Sequence, residues 1–166
     1  MCVCLQGRRV QTLQRDRPDS RAGQRLLLVG GATEKGLNGR NYRKLSEAAA
    51  KAVVASNAKD ALCTLAELPL AERELDWRVR QSIEGFGQAS YRFEQMKSKK
   101  SEKKASLQKI NFPHTSRAEG ALVKLGILQG RAIIAGMALS KDLSNLPGNV
   151  ATPSYLAAPA KSLGRS

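Results

Sequence analysis

Aromatic residues, histidine and acidic residues are all scarce in this sequence. Only 4% of the 166 residues are aromatic, there is one histidine, and 14 acidic residues stand against 28 basic ones, a formal net charge of +14. With so few aromatic residues, a single-strand-binding module that stacks bases on aromatic rings is disfavoured. The basic excess by itself still favours anionic partners, such as nucleic acid or an acidic membrane surface.

Cysteine is also sparse and irregularly placed. Cys2, Cys4 and Cys63 form an odd set without the spacing of a secreted disulfide framework, which suits a reducing cytosol. With His114 they could formally supply four zinc ligands, but no C-x-x-C pair and no second histidine at helical spacing supports that site. The favoured alternative is that Cys63 packs as a small apolar side chain.

No segment predicts a targeting signal or a membrane span. The apolar start of the chain is interrupted by Arg8 and Arg9 before a signal-peptide core could form. The longest apolar region, residues 120–139, contains Lys124 and Arg131, which makes it a poor span. We therefore expect a cytoplasmic protein with no membrane partner.

Short apolar runs predict three strands. The run at residues 25–30 is continuous and ends in two glycines, which is typical of a central strand buried on both faces. Two further candidates are residues 61–66, followed by Pro69, and residues 107–112. A chain of this length with 42% hydrophobic residues can bury one ordinary core.

Helical periodicity fills the intervals between these strands. Gly85 and Gly87 are expected to loosen the second predicted helix, at residues 71–93. The third predicted helix, at residues 119–146, contains three glycines that are expected to let it approach a neighbouring element closely: Gly126, Gly130 and Gly136. Pro159 falls inside the last helix, where the loss of a backbone hydrogen bond and a ring clash cost about 3 kcal/mol. The alternation of strands and helices predicts a layered α/β fold with helices on the faces of a sheet. The predicted helices cover residues 41–57, 71–93 and 119–146, and a fourth follows Thr152 as N-cap and Pro153.

The sequence offers no catalytic or metal-ligating set. After Pro113 the only acidic residues are Glu119 and Asp142, too far apart to form a helical pair, and His114 is expected to be an ordinary surface residue. The glycines after residue 29 match neither the dinucleotide-binding nor the P-loop pattern.

A lysine-rich segment is the one candidate binding site. Residues 97–104 are too charged to pack and are expected to form an exposed loop, which could contact nucleic acid or could simply be solvated. The candidate contacts are Lys97, Lys99, Lys100, Lys103 and Lys104.

Several segments, in order and spacing, resemble the leucyl aminopeptidase family, also called cytosol aminopeptidases. One runs from Tyr91 to Lys100, and others include Arg25 to Gly30 and Trp77 to Gln81. The most specific is the stretch from Ala135 to Leu156, which is similar to the family's junction helix and its N-L-P-P-N-x-C-T-P-x-Y-L signature. The likeness extends over nearly the whole chain.

The resemblance implies a fold, a function and a missing part. Family members are two-domain, usually hexameric enzymes that remove amino-terminal residues, preferably leucine, from peptides with two divalent metals, manganese or zinc. The metal-ligand motifs G-K-G-x-x-F-D and N-T-D-A-E-G-R do not occur in this sequence. We therefore expect an incomplete amino-terminal domain with a mixed sheet at residues 7–146, the start of a catalytic domain at 147–166, and no activity from the chain alone.

Two expectations concern the start of the chain and its partners. The family's opening strands, before the position of Gly7, are expected to be absent, and the first five residues are not expected to replace them. Charges at residues 14–17 fall where the family tends to have an apolar strand. The partners implied are peptides for the full-length family and a homo-oligomer, with DNA as the alternative because some bacterial members bind it.

Overall fold

The structure is a computed structural model that describes residues 25–30, 37–98 and 107–164, and the backbone alone for residues 2–5 and 12–16. Five strands form one sheet in the order β2-β3-β1-β4-β5. Strand β2 is antiparallel to β3 and the other pairings are parallel, so the predicted mixed α/β sheet is confirmed. The strands are β1 (Cys2–Leu5), β2 (Thr12–Asp16), β3 (Arg25–Val29), β4 (Asp60–Cys63) and β5 (Lys109–Asn111).

Four α-helices follow the predicted pattern. A short 3-10 helix, Leu65–Glu67, replaces the end of the strand predicted at residues 61–66. The hydrophilic residue before each of three helices caps it: Asn38 Oδ1 accepts from the Asn41 amide at 2.9 Å, and Ser116 and Thr152 do the same for α3 and α4. The helices are α1 (Gly39–Ala55), α2 (Leu75–Ser90), α3 (Arg117–Ser144) and α4 (Pro153–Leu163).

The core lies between one face of the sheet and helices α1 and α2. Leu27 and Val29 of β3 and Cys63 of β4 are fully buried there, which confirms Cys63 as a packed apolar side chain. Helix α3 packs against α2 and contributes Val123. A buried hydroxyl pair joins the two inner helices: Tyr42 Oη lies 3.2 Å from Ser82 Oγ and donates to the Arg78 carbonyl at 3.1 Å. Burial raises the pKa of the Tyr42 hydroxyl.

The prediction that β3 is buried on both faces is wrong. Leu27 and Val29 are buried, but Leu26 and Leu28 are only half-buried, and Leu62 of β4 is 39% exposed. Helix α1 connects β3 to β4 and α2 connects β4 to β5, in the same direction across the sheet. Right-handed crossovers in one direction place both helices on the same face, so neither of these two helices covers the other face.

The expectation that the start of the chain contributes no strand is also wrong. Strand β1 lies in the middle of the sheet, with Cys2 opposite Leu26 of β3 and Leu62 of β4. Strand β2 covers the outer edge of β3, so β3 is paired on both sides. Arg15 and Asp16, which carry two of these charges, belong to β2, and an edge strand tolerates charge because one side of it faces solvent.

The glycines of the helices serve packing in most cases. A Cβ at Gly126 would lie 2.4 Å from the Asp76 carbonyl oxygen, and one at Gly130 would lie 2.8 Å from Ile83, so the predicted close approach is confirmed at both positions. A Cβ at Gly136 would have no described atom of another element within 4 Å, and the prediction is wrong there. Gly85 does not loosen α2 but brings it against α1, because its Cβ position is 3.1 Å from the Ser46 carbonyl oxygen.

Candidate functional site

The candidate lysine loop falls mostly outside the described residues. Lys97 is exposed, just beyond the turn that follows α2. Lys99, Lys100, Lys103 and Lys104 lie outside the part of the chain that the structure describes. The assignment of this loop to nucleic acid therefore stays a prediction.

A second basic surface lies on α1, and the sequence pattern did not single it out. Arg40, Lys44 and Lys51 are exposed at helical spacing along one side of the helix, with Glu47 the only acidic residue of α1. Next to this stripe, Arg43 and Arg73 lie over Trp77, at 5.7 and 5.2 Å from the ring centroid. These contacts hold the two guanidinium groups beside the stripe by cation–π attraction.

Glu119 caps the start of α3, and His114 lies in the loop before that helix. Glu119 Oε2 accepts hydrogen bonds from the Thr115 amide at 2.7 Å and from the Thr115 hydroxyl at 2.8 Å. Both hydrogen bonds lower the pKa of the Glu119 carboxyl, and the bond from the Thr115 amide has the larger effect. His114 is exposed in the preceding loop, as predicted. The arrangement is a helix cap, because Ser116 Oγ in turn accepts from the Glu119 amide at 3.1 Å.

The residues present do not fit the two-metal centre that the family resemblance implies. Among the described residues, no three His, Cys, Asp or Glu side chains come together as metal ligands. Glu119 is engaged in its cap, and Asp142 accepts a hydrogen bond from Tyr91 Oη at 2.8 Å. No hydrolytic step can therefore be derived through the described side chains.

Tyr91 ties the segment after α2 to the end of α3. Besides its bond to Asp142, its hydroxyl accepts from Asn145 Nδ2 at 3.3 Å, and Lys141 Nζ lies 4.9 Å from its ring centroid. Partial burial and the hydrogen bond to Asp142 raise the pKa of the Tyr91 hydroxyl. No sequence pattern marks this cluster, because Tyr91 is about 50 residues away from its partners in the chain. The cluster fixes the direction in which α3 ends.

An apolar face on α3 and α4 has no cover among the described residues. Leu125 is 44% exposed and Leu128 57%, and α4 has no buried residue although it carries Tyr155 and Leu156. Exposed apolar area of this extent is typical of a surface that meets another chain or domain. We call the exposed side chains of Leu125, Leu128 and Ile133 the outer face of α3.

Helix α3 also passes the simplest criteria for a membrane span. It has 28 residues, and an 18-residue window in it has a mean hydropathy of 1.5, with 17% of that window buried. Length and composition alone do not separate a span from a helix that packs on a partner. Lys124 and Arg131 are both exposed on this helix, which favours the second interpretation.

Comparison with known proteins gives a consistent set of relatives. A profile described as the cytosol aminopeptidase family, N-terminal domain, matches residues 5–100. A probable cytosol aminopeptidase of Alkalilimnicola ehrlichii is 42% identical over 147 residues, which cover 89% of this chain and 30% of that protein. One from Burkholderia multivorans is 37% identical over 161 residues, 97% of this chain and 32% of the relative.

Two solved structures share the fold. The bottromycin maturation enzyme BotP in complex with Mn superposes with a TM-score of 0.74 at 19% identity, over 99% of this chain and 36% of that one. A variant of tomato leucine aminopeptidase superposes with a TM-score of 0.70 at 24% identity, over 96% of this chain and 30% of that one. The chain thus spans about a third of the length of the curated relatives that it matches.

Proposed function

This chain belongs to the cytosol aminopeptidase family, and from that membership we propose that it supplies the amino-terminal, non-catalytic part of a leucyl aminopeptidase. The observation that carries the proposal is that similarity to the relatives continues beyond residue 100 through α3 and α4. Removal of amino-terminal residues from peptides by two divalent metals, manganese or zinc, is assigned to the part of the relatives that this chain does not cover. The proposed location is the cytoplasm, and the proposed assembly is a homo-oligomer.

We place the boundary between the two parts after α3. Leu146, 8% exposed, is the last buried side chain among the described residues, and helix α4 contributes none. This supports a division into the predicted unit at residues 7–146, to which the structure adds β1, and a second unit that begins at residues 147–166. The outer face of α3 is then the surface on which the catalytic part packs.

We expect the outer face of α3 to bind a hydrophobic dye. This binding should be lost when the catalytic part is attached and covers the face. The test compares the chain with a fusion in which residues of the Alkalilimnicola ehrlichii relative continue the matched segment. Dye fluorescence should be high for the chain, lower for Leu128→Lys, and lowest for the fusion, because apolar area is removed or covered in that order.

The matched control for this experiment is Lys124→Gln, an exposed change on the same helix that leaves the outer face intact. It should bind as much dye as the unaltered chain. Equal dye binding by the fusion and the chain would show that the outer face is not where the catalytic part packs.

The second candidate function is nucleic-acid binding. Two observations favour it: the net charge of +14, and the exposed basic stripe on α1 flanked by Arg43 and Arg73. The lysine loop would extend this basic area if it lies close to α1. Such a surface would recognise phosphates rather than bases, because Trp77 is covered by its two arginines and only 8% exposed.

If DNA binds, we expect its log affinity to fall linearly with log salt, by about 0.9 for each phosphate neutralised. Changing Lys97, Lys99, Lys100, Lys103 and Lys104 together to Gln should weaken binding for all sequences alike and reduce the salt slope. Fluorescence anisotropy with two unrelated duplexes over a salt series measures both effects.

A control variant that loses the same amount of positive charge distinguishes a direct contact of the lysine loop with DNA from an effect of the net charge. It changes five exposed basic residues elsewhere to Gln: Lys59, Lys109, Arg117, Lys124 and Lys161. If both variants lose the same affinity, the lysine loop is not a specific contact and only the net charge matters. If neither loses affinity, the binding site lies elsewhere, with the α1 stripe the next to test.

A further inference from the structure

Strand β5 is an edge of the sheet with backbone groups turned outward. It pairs with β4 alone among the described strands. The Lys109 amide donates to the Lys59 carbonyl at 3.2 Å, so Lys109 directs its peptide groups toward β4. Alternate residues of a strand direct theirs to opposite sides, and Ile110 therefore presents its N–H and C=O at the open edge.

An apolar groove of about 420 Å³ lies beside β5, between that strand, α2 and α3. Its wall is formed by Ile83 and Phe86 of α2 and by Ile127 and Ile134 of α3, and Leu107 and Ile110 lie on the strand side. A strand backbone beside an apolar groove under a helix is the arrangement that takes up extended peptides by strand addition, with alternate side chains entering the groove.

The charges along the groove have one sign. Arg131 of α3 lines it and is exposed, and Lys109 of β5 lines it as well, whereas none of its lining residues is acidic. Arg131 makes no hydrogen bond or ion pair with any described residue. A carboxylate on the bound segment would therefore meet guanidinium and ammonium groups that are available to it.

We propose that the open edge of β5 and the adjoining groove bind an extended peptide segment with alternating apolar residues and a carboxylate, which pairs as an added strand with Ile110 and places its acid group at Arg131. This site is independent of the proposed peptidase function, since it uses none of the family's metal chemistry. Strand addition is favoured over a docked helix because the groove includes a backbone edge to which no described strand pairs, and a helix cannot satisfy such an edge.

The experiment uses the full 166-residue chain, labelled with ¹⁵N, and an acetylated peptide of alternating leucine and threonine with a free terminal carboxylate. We expect the amide of Ile110 to exchange with solvent at least about tenfold more slowly when the peptide is bound, because it becomes a strand hydrogen bond. The same peptide with an amidated carboxyl terminus should bind about tenfold more weakly. The acetyl group prevents the peptide from serving as an aminopeptidase substrate.

Arg131→Glu and Lys124→Glu form the matched pair of variants, since both reverse an exposed charge on α3 but only Arg131 lines the groove. Arg131→Glu should lower the affinity for the carboxylate peptide by at least about tenfold and leave the affinity for the amidated peptide nearly unchanged. Lys124→Glu should change neither affinity. Absence of binding at millimolar peptide, binding without protection of Ile110, or equal effects of the two variants would each overturn the proposal. Protection of Ile110 that rises with chain concentration alone would overturn it too, because β5 would then pair with a second copy.

Discussion

The purified chain is expected to leave leucine 4-nitroanilide and leucine amide intact in the presence of Mn²⁺ or Zn²⁺. Aminopeptidase chemistry of the proposed kind needs two metal ions to hold and activate water and to polarise the scissile carbonyl. The described residues bring no ligand set together, and the family's two ligand motifs do not occur in the sequence. Enzymes accelerate such reactions by a factor of at least about 10⁶. We therefore expect the chain to hydrolyse these substrates at least about 10⁶-fold more slowly than an active relative does.

The measurement is release of nitroaniline per mole of chain, with the Alkalilimnicola ehrlichii relative and the fusion described above as positive controls. The fusion should acquire metal-dependent activity that the chain lacks. Turnover that needs metal and co-purifies with the chain at constant specific activity would mean that ligands come from residues outside the described part.

Gly126→Leu is expected to destabilise the fold by about 1–3 kcal/mol or more, whereas Gly136→Leu is expected to be neutral or slightly stabilising. A Cβ at Gly126 would already lie 2.4 Å from the Asp76 carbonyl oxygen and 3.0 Å from Val79, so α3 would have to move away from α2. At Gly136 nothing lies within 4 Å, and replacing glycine in a helix gains up to about 1 kcal/mol.

Urea unfolding followed by circular dichroism measures this difference, because the two variants share the same chemical change on the same helix. We expect the midpoint of Gly126→Leu to fall sharply and that of Gly136→Leu to stay or rise. Equal midpoints would show that the contact between α2 and α3 is not closely packed in solution.

Local patterns in the sequence were enough to predict most elements of the fold. The helical spacing of Tyr42, Leu45, Ala49 and Val53 marks α1, and these side chains are buried as the spacing requires. The Thr152-Pro153 pair marks the start of α4, since capping depends only on neighbours along the chain. The ordered family motifs identify the family from the sequence alone, because they are themselves sequence patterns.

The errors concern relations between distant segments. β1 was missed because four residues are too short to show a period, and only pairing with both β3 and β4 marks them as a strand. The uncovered face of β3 depends on the direction of two crossovers, which no run of apolar letters encodes. Gly126 and Gly136 look alike in the sequence, but α2 contacts α3 closely at Gly126 and not at Gly136.

The sequence by itself determined the family, the α/β class, the local elements and the absence of the family's metal-ligand motifs, since each depends on residue identity and spacing alone. Only the tertiary structure decided which helix faces are covered, how Tyr91 meets Asp142, and that the edge of β5 lies beside an apolar groove lined by Arg131. The physical reason is that burial, edge exposure and charge proximity arise from contacts between residues far apart in the chain, and a local pattern carries no record of those distances.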